Sequence, residues 1–261
     1  MTSQIWPAPA ITSNLAAVRA TSPLVFGLTN YIAAPLSANV LLAVGASPAI
    51  GGIPSAAEHF AGIAQGVWIN LASLVADDPG ILIGVAKAAS ARQTPWVLDP
   101  VTVGAGATAN DRLAAELVEL RPGVVRGNAS EVIALAGGTG GTKGVDSTAS
   151  AEEAIPFAQS LARKTGGVVA VSGPTDYITD GEAVVAVPGG HVNLTRVTGT
   201  GCSLGALVAA FAGVVPDRLQ AAVSAHAVLA VAAERAAAIA PGTGSFSVAL
   251  LDQLSLLDAA A

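Results

Sequence analysis

The sequence predicts an α/β fold in which helices cover a mostly parallel sheet. Short apolar runs alternate along the chain with Ala-rich helical stretches, the pattern of successive βαβ units. The composition is 52% hydrophobic, with 29 glycines and only 4% aromatic residues, which suits helices packed closely on a buried sheet. Polar residues also stand just after the apolar runs, where ligands bind in such folds.

The elements follow in order. Residues 23–29, 67–70, 96–98, 123–125 and 168–172 are short, rich in Val, Leu and Ile, and end in polar or Gly/Pro signals, so each reads as a buried strand. Residues 55–64, 111–120, 130–136 and 151–164 have helical spacing. Residues 177–179 and 183–187, joined around Asp180-Gly181, read as a β-hairpin. Residues 203–240 are mostly helix, broken by Pro241-Gly-Thr-Gly244 before a final helix near 247–257. No repeat, heptad pattern, charge block or long linker interrupts the series, so residues 1–261 are expected to form a single domain.

Composition narrows the function. A net charge of −6 with few Lys and Arg argues against nucleic acid, which requires a clustered basic surface. Mean hydropathy is +0.62, so a membrane span needs explicit exclusion. The longest apolar stretch, residues 204–215, stops at Pro216-Asp217-Arg218, short of the ~20 residues a bilayer requires. The N-terminus lacks the basic start and apolar centre of a signal peptide. Cys202 is the single cysteine, which excludes an internal disulfide framework and a multi-cysteine metal site. A soluble cytoplasmic protein is expected. Charged residues make up only 11%, which fits either surface buried in an oligomer or simply a high alanine content.

The strand-end rule selects Asn30, Asn70, Asp99, Arg126 and Ser172. A further candidate is Gly199-Thr-Gly-Cys202, followed at once by an apolar helix pattern. Glycines there let several amides point at one place, and a helix N-terminus adds roughly half a positive charge, which together suit an anion. Read alone, the glycine pattern is better taken as a tight loop feeding a buried helix, and it is Cys202 that turns the reading toward chemistry. Cys202 at the helix start is expected to have a lowered thiol pKa. Asp99, closing Trp-Val-Leu-Asp-Pro, is placed to organise a phosphate-bound metal ion, or else to cap a turn. Arg126 is the strong cation of Arg126-Gly-Asn-Ala-Ser-Glu131 and can fork onto a phosphate or pair with Glu131. Ser130 is a candidate cap for the following helix.

Three patterns are set aside. The loop from Gly137 to Gly144 lacks the Gly before Lys143 and the Ser/Thr after it that a phosphate loop needs. Gly199-Thr-Gly-Cys-Ser-Leu-Gly205 is one residue too long for the dinucleotide fingerprint. His59, His191 and His226 have no metal or triad spacing and are assigned structural or surface roles.

Together the turns resemble the hydroxyethylthiazole kinase family, within the ribokinase-like superfamily. The resemblance lies in Thr29-Asn30, Ser37-Ala-Asn39, Gly45-Ala-Ser-Pro48, Thr94-Pro-Trp-Val-Leu-Asp-Pro100, Arg126-Gly-Asn-Ala-Ser-Glu131, Lys143-Gly-Val-Asp146 and Gly199-Thr-Gly-Cys202, in family order over almost the whole chain. It implies a three-layer α/β/α sandwich that forms a homotrimer. It also implies ATP- and Mg²⁺-dependent phosphorylation of the alcohol of 4-methyl-5-(2-hydroxyethyl)thiazole in thiamin biosynthesis or salvage. By the family pattern Arg126 and Ser172 meet ATP, while Asp99 and Glu131 organise Mg²⁺. Gly199, Gly201 and Cys202 lie at the reacting hydroxyl, and Asn30 and Ile50 belong to the thiazole pocket along with Gly199. Ile50 replaces the usual Met, and Ser172 replaces a Thr. Rival readings are a kinase of this fold for another vitamin-precursor alcohol, a hydro-lyase on the same fold, a non-catalytic nucleotide binder and a cysteine hydrolase.

Overall fold

The computed structural model describes residues 1–51, 54–73, 75, 78–138, 142–143, 146–147 and 149–258. The chain opens with strand β1 (Thr2–Ser3), helix α1 (Pro9–Thr21), β2 (Leu24–Leu28), α2 (Ala34–Ala43) and β3 (Ser47–Ile50). Then come α3 (Ala57–Ile63), β4 (Gly66–Asn70), α4 (Pro79–Ala91), β5 (Trp96–Asp99), α5 (Thr108–Glu119), β6 (Val124–Asn128) and α6 (Ala129–Leu135). A two-stranded ribbon of β7 (Thr142–Lys143) and β8 (Asp146–Ser147) leads to α7 (Ala151–Thr165) and β9 (Val168–Ser172). The remainder is β10 (Thr175–Thr179), β11 (Val184–Pro188), α8 (Thr200–Ala212), α9 (Arg218–Ile239) and α10 (Thr243–Leu256). Part of the glycine loop, residues 139–141 and 144–145, lies outside the described residues, as does the middle of Lys143-Gly-Val-Asp146.

Helix boundaries follow local chemistry. Ser150 and Glu153 form a capping box at the start of α7, and Gly166 ends it in the left-handed conformation. The Asp217 side chain accepts from the amides of Leu219 and Gln220 to start α9. At α10, Gly242 is the cap, so Pro241-Gly-Thr-Gly244 belongs to the helix start rather than to a longer break. The cap of α6 is Asn128, in a capping box with Glu131, and not Ser130, which lies inside the helix.

Nine strands form one sheet in the order β1-β11-β10-β9-β6-β5-β4-β2-β3. All pairs are parallel except β10 with β9 and with β11, the hairpin read from the sequence. Alternation sends Val25, Trp68, Val97, Val124 and Ala170 to one face and Phe26, Ile69, Leu98, Val125 and Val169 to the other. Helices α1, α2, α8, α9 and α10 cover the first face and α3 to α7 the second, giving the α/β/α sandwich.

The apolar stretch at 204–215 is not the longest membrane-like candidate. Helix α9, with 22 residues, is long and apolar enough to span, but 61% of its most apolar window is buried. It packs across β9, β10 and β11 as a core helix.

Helix α8 lies unusually close to the sheet because glycines face it. A Cβ on Gly66 of β4 would run into the carbonyl of Ala209, and one on Gly213 would lie 2.7 Å from the Gln65 carbonyl oxygen. Within α8, a Cβ on Gly205 would lie 2.5 Å from Trp68 Nε1 and 3.0 Å from Asp99 Oδ2. Absent side chains therefore set the depth of α8, and that depth decides what its first turn touches.

Candidate active site

Strand register builds the site. Pairing matches Ile50 to Gly27, Gly27 to Trp68, Asn70 to Asp99, Arg126 to Ala170 and Asn128 to Ser172. With a period of two, Ile50, Trp68, Asn70, Asp99, Arg126 and Ser172 all project from the carboxyl ends of five strands onto the face covered by α8. Gly27 supplies room in this row: a Cβ there would lie 2.7 Å from Ile50 Cδ1 and 2.8 Å from Trp68 Cε3.

Asp99 is fully buried. Asn70 Nδ2 donates to its Oδ2 at 3.4 Å, and Arg126 Nη1 stands 3.9 Å from its Oδ1. The indole Nε1 of Trp68 faces the carboxylate and favours its charged form, while Asp99 Oδ1 accepts no hydrogen bond. Burial pushes its pKa up to about 7; Arg126 opposes this, and Glu131 adds to it. Asp99 caps no helix or turn; its place is in the site.

Arg126 is buried as well, and its Nη2 donates to Ser172 Oγ at 2.8 Å. Its ion pair is with Asp99 rather than Glu131. Glu131 has both carboxylate oxygens engaged: Oε1 accepts from the Thr102 amide at 3.1 Å, and Oε2 accepts from the Asn128 amide at 2.9 Å. Burial nonetheless raises its pKa, against those two amides and Arg126.

The turn preceding α8 closes the site from above. Gly199 has φ 86°, in the left-handed region, and a Cβ there would lie 3.3 Å from Ala33 Cα, so glycine is required on two grounds. Thr200 Oγ1 donates to the Val197 carbonyl at 3.0 Å, tying the turn to the preceding loop. The first i→i−4 bond of α8 runs from the Ser203 amide to the Gly199 carbonyl, so the amides of residues 200–202 have no acceptor within the helix. The Arg126 guanidinium lies against this first turn, 3.7 and 3.8 Å from where a Gly201 Cβ would sit.

Cys202, half-buried, faces Asn70, Asp99 and Arg126. The expected lowering of its thiol pKa is not what the site produces. Burial and then the Asp99 charge push it up to about 11, with Asn70 and Arg126 only partly opposing. The helix start that suggested a lowered value is outweighed by desolvation.

Asn30 stands apart from the row. Its Oδ1 accepts from the amides of Ile32 at 3.0 Å and Ala33 at 2.8 Å, shaping the turn into α2 against which Gly199 packs. Beside it Thr29, also buried, has a hydroxyl with no partner.

Among the described residues, five buried side-chain atoms lack a hydrogen-bond partner: Thr29 Oγ1, Trp68 Nε1, Asp99 Oδ1, Arg126 Nε and His226 Nε2. Trp68, Asp99 and Arg126 lie in this row, and Thr29 directly follows the end of β2. Such atoms are costly in a finished core, so their concentration here marks a site built for a ligand. Trp68 and Gly205 escaped the sequence reading. Trp68 lies inside an apolar run, and Gly205 looks like any glycine of an apolar helix.

The α/β/α sandwich with an open carboxyl edge beneath a glycine-started helix is the architecture of ribokinase-like kinases. Pyridoxal kinase from Staphylococcus aureus, solved with AMP-PCP and pyridoxal, shares this fold with a TM-score of 0.59 at 15% identity, over 81% of this chain and 87% of that one. The family is nearer than the fold: the hydroxyethylthiazole kinase family profile matches residues 15–260, and the chain belongs to that family. It is 56% identical over 260 residues to hydroxyethylthiazole kinase of Burkholderia pseudomallei (strain 668), covering 100% of this chain and 94% of the relative. The hydroxyethylthiazole kinase of Leptospira interrogans serogroup Icterohaemorrhagiae serovar Lai is 49% identical over 254 residues, covering 97% and 96%. The solved hydroxyethylthiazole kinase from Pyrococcus horikoshii OT3 superposes with a TM-score of 0.85 at 35% identity, covering 95% and 93%.

Proposed function

We propose that the chain, a single domain, transfers the terminal phosphoryl group of ATP to the hydroxyl of 4-methyl-5-(2-hydroxyethyl)thiazole, a step toward thiamin. The observation that carries this reading is the meeting of Asp99, Arg126 and Ser172 with the α8 first turn. An arginine held by two neighbours beside three free helix amides suits a transferring phosphate, whose catalysis is mainly positioning and electrostatics.

In this mechanism Arg126, oriented by Ser172, binds nucleotide phosphate. Asp99 fits a role in holding Mg²⁺, because its Oδ1 is buried and accepts no hydrogen bond, with only the Arg126 guanidinium 3.9 Å away. Glu131 fits less directly, since two amides already engage its oxygens. No group of three or more His, Cys, Asp or Glu converges among the described residues, so phosphate and water oxygens would complete the ion's shell. Mg²⁺ would supply charge neutralisation at the transferring phosphate.

The substrate hydroxyl sits at Cys202. A thiol of pKa about 11 is ionised to about one part in ten thousand at neutral pH, so Cys202 orients the hydroxyl and is not its base. Gly199 and Gly201 present the turn's amides to the developing charge. Ile50, seated over Gly27 beside Trp68, lines the thiazole end together with the Asn30 turn.

Self-association as a homotrimer is supported by the exposed Tyr31 and Ile32, 71% and 52% accessible, at the turn that packs against Gly199. Use of ATP supports a cytoplasmic location. The test is ATP consumption with and without the thiazole alcohol. Strong stimulation is expected; none by this alcohol, with stimulation by another, would overturn the substrate and retain the class.

A further inference from the structure

Among the described residues, His226 Nε2 is the one unpartnered buried side-chain atom away from the carboxyl ends of the strands. His226 is 1% exposed, on the face of α9 that packs against β9, β10 and β11. That helix is built largely from alanine and other apolar residues, and a leucine would fill the same space without burying a bare ring nitrogen. Such an expensive residue needs a use.

Its other nitrogen points to one. His226 Nδ1 donates to Asp176 Oδ2 at 2.6 Å, and Asp176 Oδ1 accepts from the Gly173 amide at 2.8 Å. Gly173 directly follows Ser172, whose hydroxyl receives Arg126 Nη2. The turn is also pressed from the far side: a Cβ on Gly173 would lie 2.8 Å from Ala151 Cβ at the start of α7. The β9–β10 turn is thus held between α7 and a hydrogen-bond relay anchored in α9.

We propose that His226 and Asp176 are positioning residues for nucleotide binding, acting through Gly173 and Ser172 on the Arg126 guanidinium. The inference rests on the phosphate-binding role assigned to Arg126 above. It predicts an effect confined to one end of the site. Ser172 on β9 and Ile50 on β3 are separated by β6, β5, β4 and β2. At ~4.8 Å between strands, that is ~24 Å. Loosening the β9–β10 turn should weaken ATP binding and leave the alcohol end alone.

The experiment is steady-state kinetics in both substrates, with thermal melts, on the wild type, His226→Leu and His226→Asn. Leucine keeps the volume and removes the donor; the asparagine amide returns a donor near the Nδ1 position. His226→Leu should raise KM for ATP about tenfold, the scale of one lost hydrogen bond to a charged group. KM for the alcohol should stay within about twofold, and His226→Asn should recover most of the loss. Equal rises in both KM values, an unchanged KM for ATP, or an asparagine variant no better than leucine would refute the role. If the leucine variant fails to fold, Asp176→Ala breaks the same relay from the sheet side, with the same expected split and the same refuting outcomes. A wild type without alcohol-stimulated turnover would instead refute the underlying functional reading.

Discussion

Replacing Asp99 by Asn should make the protein more stable as pH rises, relative to the wild type, while removing its activity. Burial lifts the Asp99 pKa from 3.8 to about 7. Between those values the folded protein holds a proton that the unfolded chain has released. The unfolded state therefore binds fewer protons, and wild-type unfolding free energy falls as pH rises, levelling off above about pH 7. A shift of about three units at about 1.36 kcal/mol each gives a loss of about 4 kcal/mol across the window. The asparagine variant lacks this slope. Losing the Arg126 partner moves its whole curve downward but leaves the shape unchanged, because Arg126 stays charged throughout. Urea denaturation of both proteins from about pH 4.5 to about pH 8.5, at one protein concentration, gives the difference directly. The variant should gain several kcal/mol relative to the wild type across this range. A difference constant to within about 0.5 kcal/mol would show that Asp99 is not a desolvated carboxylate and would remove the basis for its cation-binding role.

Because Asp99 must give up its proton to hold a cation, the apparent Mg²⁺ affinity should rise with pH and level off above about pH 7; a pH-independent titration would count against Asp99 as ligand. Gly205→Ala should lower kcat sharply and destabilise the fold by about 1–3 kcal/mol, since its Cβ would crowd Trp68 and Asp99; crystallography and denaturation would show whether both shift. Ser172→Ala should raise KM for ATP about tenfold by removing the bond to Arg126, while an unchanged KM would leave Arg126 oriented by other means. Cys202→Ser should reduce kcat more than it weakens ATP binding, and Cys202 should react with iodoacetamide far more slowly than a free thiol at pH ~8, given a pKa of about 11. Rapid alkylation would contradict the buried protonated thiol.

Much of the site was legible in the sequence because it lies at strand ends. A run such as Trp-Val-Leu-Asp-Pro shows where a strand stops, and Asp99, Arg126 and Ser172 follow from that rule. Helices α1, α2 and α4 and strands β1 and β3 were not assigned individually, since their alanine-rich and proline-started segments lack a clear polar face. The Cys202 pKa departs from the sequence expectation for a different reason. Position at a helix start is local and readable, whereas desolvation depends on how deeply α8 sinks onto β4 and β5, which only the packed structure defines. The role of Asn128 was hidden by Ser130, another good capping residue two positions on, with only Asn128 standing three before Glu131.

The depth of α8 also sets how such a site can diverge. Gly66 and Gly213 fix the helix against β4 through backbone contacts and Gly205 against the Trp68 and Asp99 side chains, so its first turn cannot shift without disturbing the core. The edge strand β3 pairs with β2 alone, and its Ile50 Cδ1 lies over Gly27 rather than against the α8 backbone. If the site acts as proposed, substitutions at the β2–β3 margin should change acceptor choice before they disturb phosphate binding.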